Sequence, residues 1–132
     1  MPFELQAVAW STLILFVLLM FQGGLVPVSQ GLRWGLGGRD GGLEKSALQG
    51  RTARTAANHI ESMLLFVPLV MIAQFSNIST PLTVWGAGLY LVGRVAFAPL
   101  YLFGIPIVRS MAWTVAIIGI CMTGFEVFRA FL

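Results

Sequence analysis

The chain has 132 residues, of which 58% are apolar and only 10% charged, with a net charge of +3 and a mean hydropathy of +0.88. A soluble domain usually carries roughly 25% charged residues, so this chain lacks the polar material to cover a water-facing exterior. We therefore expect a membrane protein that contacts lipid and has no nucleic-acid partner.

Three stretches, 5–32, 62–93 and 110–125, contain no charged residue. Because a hydrocarbon core of about 30 Å takes roughly 20 helical residues, the first stretch suffices for one helix and the second needs a break. We predict one all-α membrane domain, a bundle of four transmembrane helices at about 5–31, 48–73, 82–103 and 108–131. The predicted breaks are a glycine-rich flexible loop over 33–50, a turn before Pro81, and Gly104-Ile105-Pro106.

The first helix is expected to remain in the mature protein, because Met1-Pro2-Phe3-Glu4 lacks the basic region of a signal peptide. The only cysteine, Cys121, lies among apolar residues and is interpreted as a packing residue.

The basic residues predict the orientation of the chain in the membrane. Five of them lie in the first loop and at the start of the second helix, namely Arg33, Arg39, Lys45, Arg51 and Arg54, whereas the 74–82 turn has none. Since Lys and Arg concentrate on the cytoplasmic side, we predict a multi-pass cell-membrane protein with both termini non-cytoplasmic.

One face of the second helix is polar within an otherwise apolar bundle. At about 100° per residue, Arg51, Arg54, Asn58 and Glu61 fall within about 80° of one another. On the third helix, Arg94 lies at a depth similar to that of Glu61. An ionisable residue at such a depth costs on the order of 2.5–3.5 kcal/mol on insertion scales, so it needs a partner, water or a ligand.

Two interpretations of this polar face are open. Glu61 and Arg94 can form an ion pair, within a subunit or across a subunit boundary, while Arg51 and Arg54 act as interfacial anchors. Alternatively, the arginines bind carboxylates and Glu61 binds an ammonium of a zwitterionic or anionic ligand. His59 is interpreted as a packing or hydrogen-bonding residue, and no His or Cys spacing predicts a metal site.

Two motifs resemble a known family. Arg54-x-x-x-Asn58-x-x-Glu61, with Pro68 seven residues later, resembles the second-helix signature of the MAPEG family, the membrane-associated proteins in eicosanoid and glutathione metabolism. Arg94-x-x-x-x-x-x-Tyr101, followed by Pro106-Ile107-Val108-Arg109-Ser110, resembles the family's third helix and its entry into the fourth. The resemblance covers nearly the whole chain, and His59-Ile60-Glu61-Ser62 is similar to the family's bacterial branch.

The resemblance implies a homotrimer that binds glutathione as its cofactor between subunits, near the cytoplasmic side. The residues expected to bind glutathione are Arg51, Arg54, Asn58, Glu61, Arg94 and Tyr101. Arg109 and Ser110, near the sulfur, are the expected catalytic residues.

The function that follows is a membrane-bound glutathione-dependent transferase or peroxidase acting on small lipophilic electrophiles. The alternative is a non-catalytic scaffold or lipid-binding protein of the same fold, because Phe97 stands where the family's enzymes often have Tyr or His. A small transporter is a third possibility, but no inverted repeat supports it.

Overall fold

The computed structural model describes residues 1–41 and 44–132, and its regular elements are helices. In chain order they are α1 (Phe3–Gln30), α2 (Leu32–Leu36), α3 (Ala47–Phe75), α4 (Pro81–Leu102) and α5 (Pro106–Arg129). Four of them, all except α2, are long and apolar enough to cross a membrane, which confirms the predicted fold class. Part of the predicted 33–50 loop, Gly42 and Leu43, lies outside the described residues.

Local capping residues set where the spanning helices begin. Ser46 Oγ accepts a hydrogen bond from Gln49 N at 3.2 Å, and Gln49 Oε1 accepts one from Ser46 N at 2.8 Å, so that a capping box opens α3. Thr80 and Thr83 form the same reciprocal pair ahead of α4, with Pro81 at its first position. These caps place the helix starts within two residues of the predicted positions.

The predicted 33–50 loop is not irregular throughout, because Leu32–Leu36 forms the short helix α2. Gly31 adopts a φ of 88°, a left-handed value that favours glycine, and this reverses the chain after α1. The α2 helix then folds back on α1, where a Cβ added at Gly35 would lie 3.3 Å from a methyl carbon of Val26. The prediction rested on the glycines of this segment, because five residues are too few to show a helical period.

Helices α4 and α5 pack closely enough for their backbones to touch. A Cβ added at Gly93 would lie 2.6 Å from Ala116 N, and one added at Gly119 would lie 2.5 Å from Tyr90 N. Small residues allow spanning helices to approach in this way. Because α4 and α5 pack this closely, the end of α4 lies beside the start of α5. Most of the candidate site lies at these two helix ends.

The interior of the bundle is a small core around an aromatic pair. Phe66 of α3 stacks on Tyr90 of α4, with ring centroids 3.8 Å apart, and Ala7, Val70 and Ile120 pack around them. Many large apolar side chains point outward, including Trp10, Phe16, Leu64, Val92 and Ile118. An apolar exterior around a partly polar interior is the arrangement that a lipid environment stabilises.

Candidate functional site

Three arginines meet at the end of the bundle where α3 begins, α4 ends and α5 begins, and two of them contact Tyr101. Arg54 Nε donates a hydrogen bond to Tyr101 Oη at 3.0 Å, and the Arg109 guanidinium carbon lies 4.6 Å from the centre of the Tyr101 ring. Arg51 Nε donates to the Leu102 carbonyl at 3.0 Å. We call Arg51, Arg54, Tyr101 and Arg109 the arginine cluster.

Two adjacent cavities open beside this cluster and share Asn58 and Trp113. One, of about 210 Å³, is lined by Asn58, Phe97, Tyr101, Arg109, Ser110 and Trp113. The other, of about 150 Å³, is lined by Asn58, Glu61, Ser62, Leu65, Trp113 and Ile117. Five of the eight predicted site residues therefore line these cavities, and Arg51 and Arg54 join Arg109 in the arginine cluster.

Arg94 is the one predicted site residue that neither lines a cavity nor belongs to the arginine cluster. It is 1% exposed; its Nη1 donates to Asn58 Oδ1 at 2.9 Å, and its Nε donates to His59 Nδ1 at 3.2 Å. The guanidinium carbon also lies 4.5 Å from the centre of the Phe97 ring. Its Nη2 has no hydrogen-bond partner among the described residues. Arg94 thus lies behind Asn58, which separates it from the cavities.

The predicted ion pair between Glu61 and Arg94 within a subunit is wrong. Glu61 is exposed on the outer side of α3, and the salt bridge found among the described residues joins Arg129 to Glu126 at 2.9 Å. Matched depth did not bring the two charges together, because Asn58 and His59, which precede Glu61 on α3, accept the hydrogen bonds from Nη1 and Nε of Arg94. A pairing across a subunit boundary remains untested.

A buried polar network behind the site was not predicted. His59 is fully buried, and its Nε2 lies 2.9 Å from the Ser11 carbonyl oxygen and 3.1 Å from Ser11 Oγ. Ser11 Oγ in turn lies 3.0 Å from Tyr90 Oη, which lies 3.3 Å from Ser62 Oγ. The hydrogen-bonding role expected for His59 is therefore confirmed. For the other members of the network, the sequence offered one indication, namely a Ser and a Tyr isolated within apolar helices.

Charged residues at the opposite end of the bundle were also overlooked. Glu4 is 1% exposed, and its Oε1 accepts hydrogen bonds from Thr83 Oγ1 at 2.6 Å and Ser79 Oγ at 3.1 Å. Glu126 is paired with Arg129, as described above. These carboxylates have partners within the bundle, whereas Glu61 has none among the described residues.

The geometry at the arginine end suits a ligand that carries both charge signs. Guanidinium groups bind carboxylates, and the exposed Glu61 carboxylate can bind an ammonium across the shared Asn58 wall. Ser110 Oγ donates to the Pro106 carbonyl at 3.0 Å within the first turn of α5, and Ser110 lines the cavity that Arg109 also lines. No group of three or more His, Cys, Asp or Glu side chains able to hold a metal occurs among the described residues.

Comparison with known proteins identifies the family. The family model described as "MAPEG family" matches residues 7–128, which include every candidate site residue. Comparison with curated proteins and with solved structures gave no match. The match does not distinguish a branch of the family, so the bacterial type remains an expectation. Because the match covers nearly the whole chain, this four-helix membrane protein belongs to the MAPEG family, whose members have roles in glutathione-related or eicosanoid metabolism.

Proposed function

We propose that this protein is a membrane-bound, glutathione-dependent transferase or peroxidase that acts on small lipophilic electrophiles. The observation that carries the proposal is the arginine cluster beside a cavity that Arg109 and Ser110 share with Asn58. Glutathione has two carboxylates, one ammonium and one thiol, and this end of the bundle offers a complementary group for each.

In the proposed complex, Arg51 and Arg54 bind the carboxylates, and Glu61 binds the ammonium. Asn58 and Tyr101 hold the peptide part, with Arg94 supporting them from behind. The thiol lies near Arg109 and Ser110, where the amino-terminal end of α5 already favours negative charge. The Arg109 guanidinium adds a permanent positive charge, so the bound sulfur is stabilised as the thiolate, which is the nucleophilic form.

The reaction then depends on proximity, because the lipid phase supplies the apolar substrate to a fixed nucleophile. In a transfer, the thiolate forms a carbon–sulfur bond and the leaving group departs with its electron pair. With a hydroperoxide, the thiolate takes the distal oxygen to give the sulfenic acid, and the alkoxide takes up a proton. A second glutathione then converts the sulfenic acid into the disulfide and water.

We further propose a homotrimer with the site between neighbouring subunits and the arginine cluster on the cytoplasmic side. Two of the proposed ligand-binding residues, Arg54 and Glu61, are exposed on a single subunit. Their exposure supports a site that a neighbouring subunit completes. Five basic residues near this end, against none in the 74–82 turn, support the orientation.

The non-catalytic alternative is favoured by Phe97 and Trp113, which line the cavity where a second hydroxyl donor would help a thiolate. In that case, the cluster binds a ligand or lipid headgroups without turnover. Binding and chemistry are therefore tested separately.

The first test is whether glutathione raises the melting temperature of the detergent-solubilised protein. A ligand at a free concentration of about 100 times its Kd stabilises the folded protein by about 2.7 kcal/mol. The matched control is Arg54→Gln, which removes one carboxylate partner and should shift the response to higher glutathione concentrations. An unchanged melting temperature in the wild type would favour the scaffold.

A further inference from the structure

We infer that His59 is a positioning residue for the proposed glutathione site. His59 holds the Arg94 guanidinium in place, and Arg94 in turn fixes the side-chain amide of Asn58 so that the NH2 group of Asn58 faces the cavities. This inference rests on the proposed function for the identity of the ligand. His59 itself lines neither cavity.

The first step is the state of the His59 ring. Arg94 Nε is always a donor, so His59 Nδ1, at 3.2 Å, must be the acceptor. A neutral ring with an acceptor at Nδ1 carries its proton on Nε2, which lies 2.9 Å from the Ser11 carbonyl oxygen. The two contacts agree on one tautomer, so His59 ties α1 to the Arg94 guanidinium of α4.

The second step is the orientation of Asn58. Arg94 Nη1 can only donate, so the Asn58 atom 2.9 Å away must be the carbonyl oxygen Oδ1. The NH2 group is then the part of the amide left to bind a ligand in the two cavities that Asn58 lines. Without Arg94, the amide can turn and present either group.

The third step is chemical complementarity. An NH2 group directed at the cavities donates to a carbonyl or carboxylate oxygen, and the glutathione backbone carries several such acceptors. An inverted amide would place an acceptor against those oxygens and repel them. His59 therefore acts on ligand affinity through two hydrogen bonds that Arg94 donates, one to His59 and one to Asn58.

Two substitutions separate the roles of the two ring nitrogens. In His59→Gln the longer amide reaches the Nε2 position and keeps a donor for Ser11, but it loses the acceptor that faces Arg94. In His59→Asn the shorter amide keeps an acceptor near the Nδ1 position and loses the contact with Ser11. Both remove the ring, so their losses of packing are similar.

We expect His59→Gln to weaken glutathione binding about tenfold, equivalent to about 1.4 kcal/mol, and His59→Asn to bind close to the wild type. In an Asn58→Ala background, His59→Gln should weaken binding no further, although its effect on melting temperature should persist. A purely structural His59 would instead lower affinity in both backgrounds, and that result would overturn the inference.

If His59→Gln does not fold, Arg94→Gln replaces it in the same cycle. A loss of affinity that vanishes in the Asn58→Ala background supports positioning, whereas a loss that persists there shows direct binding by Arg94.

A readout without glutathione separates this inference from the proposed function. The side-chain amide resonances of Asn58, observed by nitrogen-labelled NMR in detergent, should shift further in His59→Gln than in His59→Asn. Both variants lose the ring current of the imidazole, but only His59→Gln loses the acceptor that faces Arg94. Those shifts in a protein that binds no glutathione would support the positioning of Asn58 and reject the proposed ligand. Equal shifts of the Asn58 resonances in the two variants would reject the positioning, whatever the ligand.

Discussion

Replacing Arg109 with alanine tests the proposed chemistry most directly, because Arg109 is the residue placed beside the sulfur. The structure fixes its position: it is half-buried, and its guanidinium carbon lies 4.6 Å from the centre of the Tyr101 ring. A thiolate in the cavity of about 210 Å³ would lie within about 5 Å of this charge. At an effective dielectric constant of about 20, the attraction is about 3 kcal/mol.

Solvent at this rim screens part of that attraction, so we expect a net effect of about 1–2 kcal/mol. The thiolate fraction of bound glutathione should then fall about five- to thirtyfold in Arg109→Ala. The assay is the ultraviolet thiolate band of the glutathione complex near neutral pH, together with the initial rate with a chromogenic aryl chloride. Melting temperature and oligomer size should stay close to the wild type.

Arg33→Ala is the matched control, because it removes an exposed arginine that does not line either cavity. It should leave the thiolate band unchanged. A full thiolate band in Arg109→Ala would show that another group stabilises the sulfur. Wild-type protein that binds glutathione without any thiolate band would refute the mechanism, and a wild type that binds none would support the scaffold alternative.

Three further predictions concern topology, packing and charge. In a Cys121→Ser background, Ser76→Cys should react with a membrane-impermeant thiol reagent on intact cells and Lys45→Cys should not; the reverse pattern would invert the proposed orientation. Gly119→Ala should lower the free energy of unfolding by about 2 kcal/mol, because its Cβ would lie 2.5 Å from Tyr90 N. The control is Gly88→Ala, which should leave stability unchanged in the same thermal melts, because its Cβ would lie 3.7 Å from the Phe3 ring. Glu61→Gln and Arg94→Gln should add within about 0.5 kcal/mol in thermal stability, and a larger coupling would show that these charges meet across a subunit boundary.

The spanning helices could be predicted from the sequence because lipid imposes a simple rule on length and charge. Charge-free stretches identified the spans, and Pro81 and the Gly104–Pro106 break marked two of the connections. The short helix α2 was not predicted, since its five residues pack on α1 and give no periodic signal of their own. The local sequence was therefore sufficient to predict the long helices. It was insufficient to predict α2, because the stability of so short a helix comes from tertiary contacts.

The candidate site could be predicted only in part, and Arg94 illustrates the reason. Its depth follows from counting residues along α4, but its partner depends on how α3 and α4 are rotated about their axes. That rotation brought Asn58 and His59, rather than Glu61, within 3.2 Å of the Arg94 guanidinium. The Ser11–His59–Tyr90 network joins three helices, so no spacing within one helix could indicate it.

The distribution of partners between the two ends of the bundle bears on where a ligand binds. At one end, Glu126 is neutralised by Arg129, and Glu4 Oε1 accepts bonds from two hydroxyl groups. At the other end, Arg54 donates a hydrogen bond to the Tyr101 hydroxyl, and no carboxylate among the described residues forms a salt bridge with Arg54 or Arg109. Unneutralised guanidinium groups at the edge of a low-dielectric bundle attract anions more strongly than in bulk water, even though solvent at the rim screens part of the attraction. An anionic ligand therefore gains most at the arginine end, which is why the proposed glutathione site is assigned there and not to the opposite end.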